Sequence, residues 1–365
     1  MNEPNLPPLS AVVLAAGEGS RMRSQRPKPL HLLCGRPMLQ YVVDAVAGTD
    51  AATVVIVVGH KGERVTKKMQ EHDHHVHLEF VEQREQRGTG DATLVGLVGL
   101  PDDDEGDVLV LPGDAPLLRP ETLAELVAHH RASGAAATLL TARMDDPSGY
   151  GRVVRDPSGR VARVVEHRDA SPEELAVDEI NTSIYCFRRG LLAPALRRVE
   201  PDNSQGEYYL TDVVEVLVGT GHAVEAVVAE DGAETQGVND RVQLAAAEAE
   251  LRRRTNDRLL RAGVTMLDPS SVFVDTTVEV GGDVTLFPGV ILQGSTSVGD
   301  GSEIGPNTRL VDTRVGEDCT VEQTTATAAR IGDRARVGPY AALGPGAEVA
   351  ADLATGPFYT SDVTG

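Results

Sequence analysis

Two hydrophobic rhythms divide the chain. Up to about residue 115, short apolar runs alternate with helical spacing. Ala11-Val12-Val13-Leu14 reads as a buried strand, and Met38 to Val46 as a helix with Leu39, Val42, Val43 and Val46 on one face. Val54 to Val58 is a β-branched run. Gly62 to Gln70 reads as a second helix, Leu78 to Val81 as a short strand, and Asp91 to Leu100 as a helix of small residues. Val108 to Leu111 is a strand that ends at Pro112-Gly113-Asp114. Continuous apolar strands between helices predict a mostly parallel, Rossmann-like α/β sheet covered on both faces. Ligands in such folds sit at the carboxyl ends of strands, so the turns after Leu14 and Leu111 can face one crevice.

Further strand candidates are Thr138 to Ala142, Gly151 to Val154, Val161 to Glu166 and Ile184 to Phe187, with turns at Pro147-Ser148-Gly149 and Pro157-Ser158-Gly159. Val242 to Arg261 has no Gly or Pro and reads as a helix linking two domains. From Thr265 the rhythm changes. Val280, Leu286, Leu292, Val298, Ile304 and Leu310 recur every six residues, and pairs such as Val298-Gly299, Val315-Gly316 and Ile331-Gly332 repeat an aliphatic residue before Gly. A strict six-residue period predicts a short left-handed parallel β-helix, with the aliphatic residue inward and Gly allowing the corner. The expected division is a first domain at 1–241, a linker helix at 242–262 and the β-helix at 263–365.

Composition narrows the classes. The chain has 365 residues, 41% hydrophobic and 24% charged, as in a soluble globular protein of about two domains. A formal charge of −21 argues against nucleic acid as a partner. Cys34, Cys186 and Cys319 form no metal cluster and no disulfide framework, which suits a reducing cytoplasm. The start, MNEPNLPPLS, lacks the features of a signal peptide, and no stretch is apolar enough for a membrane span.

An anionic chain that handles anions must gather its cations. It does so in Leu14-Ala15-Ala16-Gly17-Glu18-Gly19-Ser20-Arg21, closed by Arg26-Pro27-Lys28-Pro29. A strand, a glycine turn with free N–H groups, and the cations Arg21 and Lys28 suit a nucleoside triphosphate. The spacing is neither a dinucleotide fingerprint nor a P-loop. Proline on both sides of Lys28 fixes its loop. Asp114 is the best metal-binding carboxylate, or else a turn residue after Pro-Gly. The five histidines His60, His72, His74, His75 and His77 lie in a polar connector without a second ligand group, so a zinc site is not expected there.

LAAGEGSRM followed by RPKPLH resembles the sugar-1-phosphate nucleotidylyltransferases, and the chain as a whole resembles the GlmU family. The resemblance implies a Mg²⁺-dependent transfer from UTP to N-acetylglucosamine 1-phosphate. It puts Leu14, Ala15, Ala16, Gly17, Gly113 and Lys28 on the nucleotide, with Arg21 and Lys28 neutralising phosphate. It makes Asn239, in Gly237-Val238-Asn239, the metal partner of Asp114; from the residues alone Asn239 is more readily a helix N-cap. Gln83, Gly88 and Thr89 match the base-reading segment, and Gln86 lies close enough to be confused with Gln83. Gly151, Glu166 and Asn181 match sugar contacts. Glu207 to Asp212 matches a further block, whose Thr211 and Asp212 read as capping and packing.

The resemblance breaks near the end. Gly344 stands where the family has an Arg before Pro-Gly, and Gly356 to Asp362 replaces a block of acidic and Lys residues. That departure, with the chain stopping at Gly365, leads to the expectation of no acetyltransferase activity. The short β-helix is left with homotrimer assembly or no remaining role. Alternatives stay open: GTP or dTTP as the nucleotide, another sugar 1-phosphate, or a non-catalytic nucleotide-sugar scaffold. The set Lys28, Asp114 and Asn239 argues against the scaffold, since binding alone needs no metal pair.

Overall fold

The computed structural model describes residues 7–71, 74–101 and 106–361. The chain forms two compact units, Met1–His31 with Pro37–Gln243, and Leu32–Arg36 with Leu244–Gly365.

In the first unit β1 (Leu9–Ala15) is followed by α1 (Met38–Ala47), β2 (Ala51–Val58), α2 (Gly62–Met69), β3 (His77–Glu82) and α3 (Thr89–Val98). Then come β4 (Asp107–Pro112), α4 (Pro120–Ser133), β5 (Ala137–Arg143), β6 (Arg152–Arg155), β7 (Val161–Val165) and α5 (Pro172–Leu175). The unit closes with β8 (Glu179–Arg188), α6 (Arg189–Leu196), α7 (Asp212–Gly219) and β9 (Val224–Val228). The main sheet runs β9-β5-β8-β4-β1-β2-β3. β1 pairs parallel with β2 and β4, and β2 with β3. β8 runs antiparallel to β4 and β5, and β6 and β7 form an antiparallel ribbon beside it. The expected mostly parallel sheet is therefore present, with one reversed strand at its centre.

The apolar runs have no polar alternation because both faces are buried. Val12, Val55, Val57, Val108 and Val110 face α3, α6 and α7 in one core. Ala11, Val13, Val54, Ile56, Leu109 and Leu111 face α1, α2 and α4 in the other. The order β3-β2-β1-β4 reverses direction at β1 and β4. Their carboxyl ends are tied by the Gly113 amide donating to the Leu14 carbonyl at 2.8 Å. That bond sets the glycine loop beside Asp114.

The second unit holds most of a long helix, α8 (Arg241–Arg261), and three five-stranded parallel sheets of very short strands. Their inward residues, among them Leu286, Leu292, Ile304 and Leu310, are fully buried. This is the expected β-helix, with two corrections. The period is not strict: the inward step shortens to five residues after Leu310, Val321 and Ala326. Each shortened corner turns on one left-handed residue, Asp312, Gln323 or Ala328. Gly305 and Gly338 turn the corner with a positive φ as expected, but Gly299, Gly316 and Gly332 do not and have another cause. Gly299 has no left-handed φ; a Cβ there would lie 2.6 Å from the Gly316 backbone of the next coil. The coils stack too closely for a side chain.

This reading makes a paired prediction. Gly299→Ala should destabilise the second unit by about 2 kcal/mol through overpacking. Gly282→Ala, where a Cβ meets nothing within 4 Å, should be near neutral. Denaturant unfolding of both variants, followed by circular dichroism, checks the difference.

Candidate active site

A cavity of about 390 Å³ opens at the carboxyl ends of β1 and β4. Leu14, Ala15, Ala16 and Gly17 form one side, and Gly113 and Asp114 continue it. Lys28, Gln83, Gly88, Thr89 and Glu166 also line it. These expected residues therefore share one space.

Lys28 organises the charged part. Its ammonium donates to the Asp114 carboxylate and, at 2.9 Å, to the Asn239 side-chain carbonyl. Arg21 donates to the same Asn239 oxygen at 3.0 Å. Gly19 makes this possible: it is left-handed at φ +64, and a Cβ there would sit 2.7 Å from the Lys28 Cβ. Asn239 does not cap α8. Asp240 does, accepting from the Val242 and Gln243 amides at 2.9 Å each. Arg21 and Asn239 are off the cavity wall and reach it through Lys28.

Asp114 and Asn239 offer two hard oxygen donors gathered on one ammonium. Gly237 keeps the space beside them clear, since a Cβ there would lie 3.1 Å from Asp114 Oδ1. This donor set fits Mg²⁺, which takes few protein oxygens. Among the described residues no group of three or more His, Cys, Asp or Glu is placed to hold a metal. Of the five histidines, His72 lies outside the described residues. His74 donates to the Met69 carbonyl and His77 to the Glu79 carboxylate.

The base-reading candidates separate. Gln83 is buried and donates to Asp91 at 2.8 Å. Gln86 also lines the cavity, but its amide is taken by the Ala16 carbonyl at 2.6 Å. Gly88 and Gly90 are required first by Tyr208, whose carbonyl would lie 2.5 and 3.0 Å from a Cβ at each.

Gly151 and Asn181 meet each other, the Asn181 backbone N–H donating to the Gly151 carbonyl at 2.9 Å, but neither lines the cavity. Asn181 instead donates to the Tyr185 hydroxyl at 2.8 Å, and Tyr185 does line it. Sequence reasoning missed Tyr185 and Ser183. Ser183 is turned to the wall by a bulge in β8 and a left-handed φ of 62. A hydroxyl-tipped ring inside an apolar strand was the one signal for Tyr185. The reading of Thr211 as a cap is corrected. Thr211 stands before α7 without capping it, lines the cavity, and donates to Glu166 at 3.1 Å. Glu207 and Leu210 line it too.

The acids here are perturbed. Burial raises Glu166 above the usual carboxylate range, against the Thr211 hydroxyl, which lowers it. Burial, then the Asp114 charge, raises the Tyr150 phenol. Burial, then Glu166, Glu215 and Asp169, pushes Asp212 up to about 6.

The nucleotidyl transferase family profile matches residues 10–233. With the cavity at the switch point of the sheet, the chain belongs to this family and is a sugar-1-phosphate nucleotidyltransferase. It is 48% identical, over 89% of its length and 67% of the relative, to the bifunctional protein GlmU of Thermobifida fusca. Against the bifunctional protein GlmU of Streptomyces avermitilis the identity is 47%, over 96% of the chain and 73% of the relative. Mycolicibacterium vanbaalenii has a bifunctional protein GlmU that is 46% identical over 96% and 71%. The chain belongs to the GlmU family, and its enzyme class is UDP-N-acetylglucosamine diphosphorylase-like.

The Asp212 shift fixes a pH dependence. A raised folded value means that the folded chain holds the proton more tightly than the unfolded chain, whose ordinary value is 3.8. Stability therefore falls as pH rises from about 4 to about 6, then levels. Asp212→Asn removes that loss. We expect it to be more stable than the parent by about 1–2 kcal/mol at pH 7.5, a figure reduced for the solvent around a half-buried group. The difference should vanish below about pH 4. Denaturant titrations at both pH values check this.

Proposed function

We propose that the chain transfers the uridylyl group of UTP to N-acetylglucosamine 1-phosphate. An oxygen of the sugar phosphate attacks the α-phosphorus, the bond to the β-phosphate oxygen breaks, and pyrophosphate leaves. No covalent enzyme intermediate is needed, so the residues' work is to align the reactants and neutralise charge. The observation that carries this reading is the single Lys28 ammonium shared by Asp114 and Asn239 on the wall of a cavity that also holds Gln83 and Glu166.

In this reading Lys28 and Arg21 neutralise the triphosphate and the leaving pyrophosphate. Gly17 and its neighbours give the phosphates close access to the backbone. Asp114 and Asn239 would hold Mg²⁺, which supplies charge neutralisation at the phosphates when bound. Gln83, with Gly88 and Thr89, meets the base. Glu166 accepts from sugar hydroxyls, and Gly151 and Asn181 act behind it, Asn181 through Tyr185. We take 1–241 as the catalytic domain, 242–262 as the connecting helix and 263–365 as the β-helix, in a cytoplasmic homotrimer. No acetyl transfer is expected, because Gly344 offers no cation to an acceptor phosphate.

Pyrophosphate release measured across UTP, dTTP, GTP and CTP with several sugar 1-phosphates tests the assignment. The highest kcat/KM is expected for UTP with N-acetylglucosamine 1-phosphate, and Asp114→Ala should lower kcat at least about 10³-fold while the protein stays folded. Turnover with no pair would reject the enzyme reading. Asp114→Ala with undiminished turnover would remove Asp114 from its role. Thiol release from acetyl-coenzyme A with glucosamine 1-phosphate should stay at background.

A further inference from the structure

The Gln83 carboxamide is held in one orientation. The residue is 5% exposed, and both partners of its nitrogen are pure acceptors. Nε2 donates to the Asp91 carboxylate at 2.8 Å and to the Gly88 carbonyl at 3.3 Å. The two ends of a carboxamide have the same shape, so the partners decide which end is nitrogen. The reverse orientation would press Oε1 against a carboxylate and a carbonyl, two like-sign contacts. Both N–H groups are therefore used, while Oε1 takes no hydrogen bond among the described residues. Oε1 is left as the polar atom that Gln83 can present on the cavity wall.

We propose that Asp91 is a positioning residue for base selection. By fixing Gln83 as an acceptor it makes the site demand a ring N–H from the base. The inference rests on the reading of Gln83 as a base contact. Uracil and thymine supply that N–H at N3. Cytosine at N3 and adenine at N1 carry lone pairs, which would face the lone pairs of Oε1. Guanine passes this test at N1 and must be refused by size. A buried acceptor left facing a second acceptor loses its hydrogen bond and pays for desolvation, so discrimination against cytosine should be large.

Asp91 has a plainer role. It lies in the first turn of α3, where a carboxylate offsets the positive end of the helix. That role needs an acid or a polar first-turn residue and is indifferent to the state of Gln83. The proposed role needs a group that cannot donate. The two therefore part at Asp91→Asn, whose amide keeps the size and the helix start but can meet Gln83 either way.

The experiment measures pyrophosphate release and calorimetric binding of UTP and CTP for the parent, Asp91→Asn, Gln83→Ala and the double variant, with melting temperatures alongside. In Asp91→Asn the ratio of kcat/KM for UTP over CTP should narrow at least about tenfold, carried by KM more than by kcat. Gln83→Ala should narrow it at least as much, and the double variant should narrow it no further. If Gln83→Ala collapses the ratio but Asp91→Asn leaves it unchanged, the role of Asp91 is overturned and that of Gln83 stands. If Gln83→Ala leaves the ratio unchanged, Gln83 does not read the base and both fall. A lower melting temperature with an unchanged ratio assigns Asp91 to the helix end alone. Asp91→Thr, whose hydroxyl also both donates and accepts, repeats the test should Asp91→Asn fail to fold.

Discussion

One ammonium group ties the site together. Lys28 reaches Asp114 and Asn239, 86 and 211 residues away along the chain. The pairing brings the glycine loop, the end of β4 and the segment before α8 to one point. An ion pair drawn partly from water is stable only when its remaining hydrogen-bonding capacity is used. Here the Asn239 carbonyl shares it, and Arg21 adds a second cation to the same oxygen. In the proposed reaction the phosphates bring to Lys28 the anionic oxygens that Asp114 now supplies, while a divalent ion compensates Asp114. The charges that build the free site are the charges that the reaction needs.

The same cavity is acidic elsewhere. Glu166 and Glu207 line it; burial and then Asp169 raise the proton affinity of Glu166, and burial with Glu166, Glu215 and Asp169 raises that of Asp212. Such a cluster would repel a triphosphate, but it suits a ligand rich in neutral hydroxyls, which donate to carboxylates. The chain's net charge of −21 sharpens the contrast, because cations must be held in place against a negative background. In the proposed reaction phosphate is drawn to the Lys28 loop, and the neutral ring is left to Glu166, Thr211 and Tyr185. On that proposal the sorting of the two ends of a sugar phosphate is electrostatic before any particular hydroxyl is recognised.

Much of this was legible in the chain itself. Continuous β-branched runs between helical patterns specify a doubly covered sheet, and the strand ends then place Gly17 and Asp114 together. The missed residues depend on information that has no local signature. Ser183 reaches the cavity because a bulge shifts the register of β8 after Asn181. Thr211 looked like a helix cap because a cap and a ligand contact call for the same hydroxyl. The Asn239 alternatives were separated only by seeing Asp240 take the capping bonds. Gly88 reads as an approach to a base in sequence, yet its first duty is to admit the backbone of Tyr208, 120 residues later.

The β-helix shows the same limit in another form. A six-residue period describes which side chains fill the core, and there the reading was sound up to Leu310. Beyond it the inward position is set by the sheet and not by counting. Val298 pairs with Val315, and Leu310 with Ala326, although those corners have lost a residue. A parallel ladder fixes neighbours coil by coil, so a corner can shorten wherever one residue accepts a left-handed turn. The inward residue keeps its place because a slip of one would put it on the solvent face. Coil length can therefore drift while the core stays in register, and glycine is demanded where the next coil lies against the backbone.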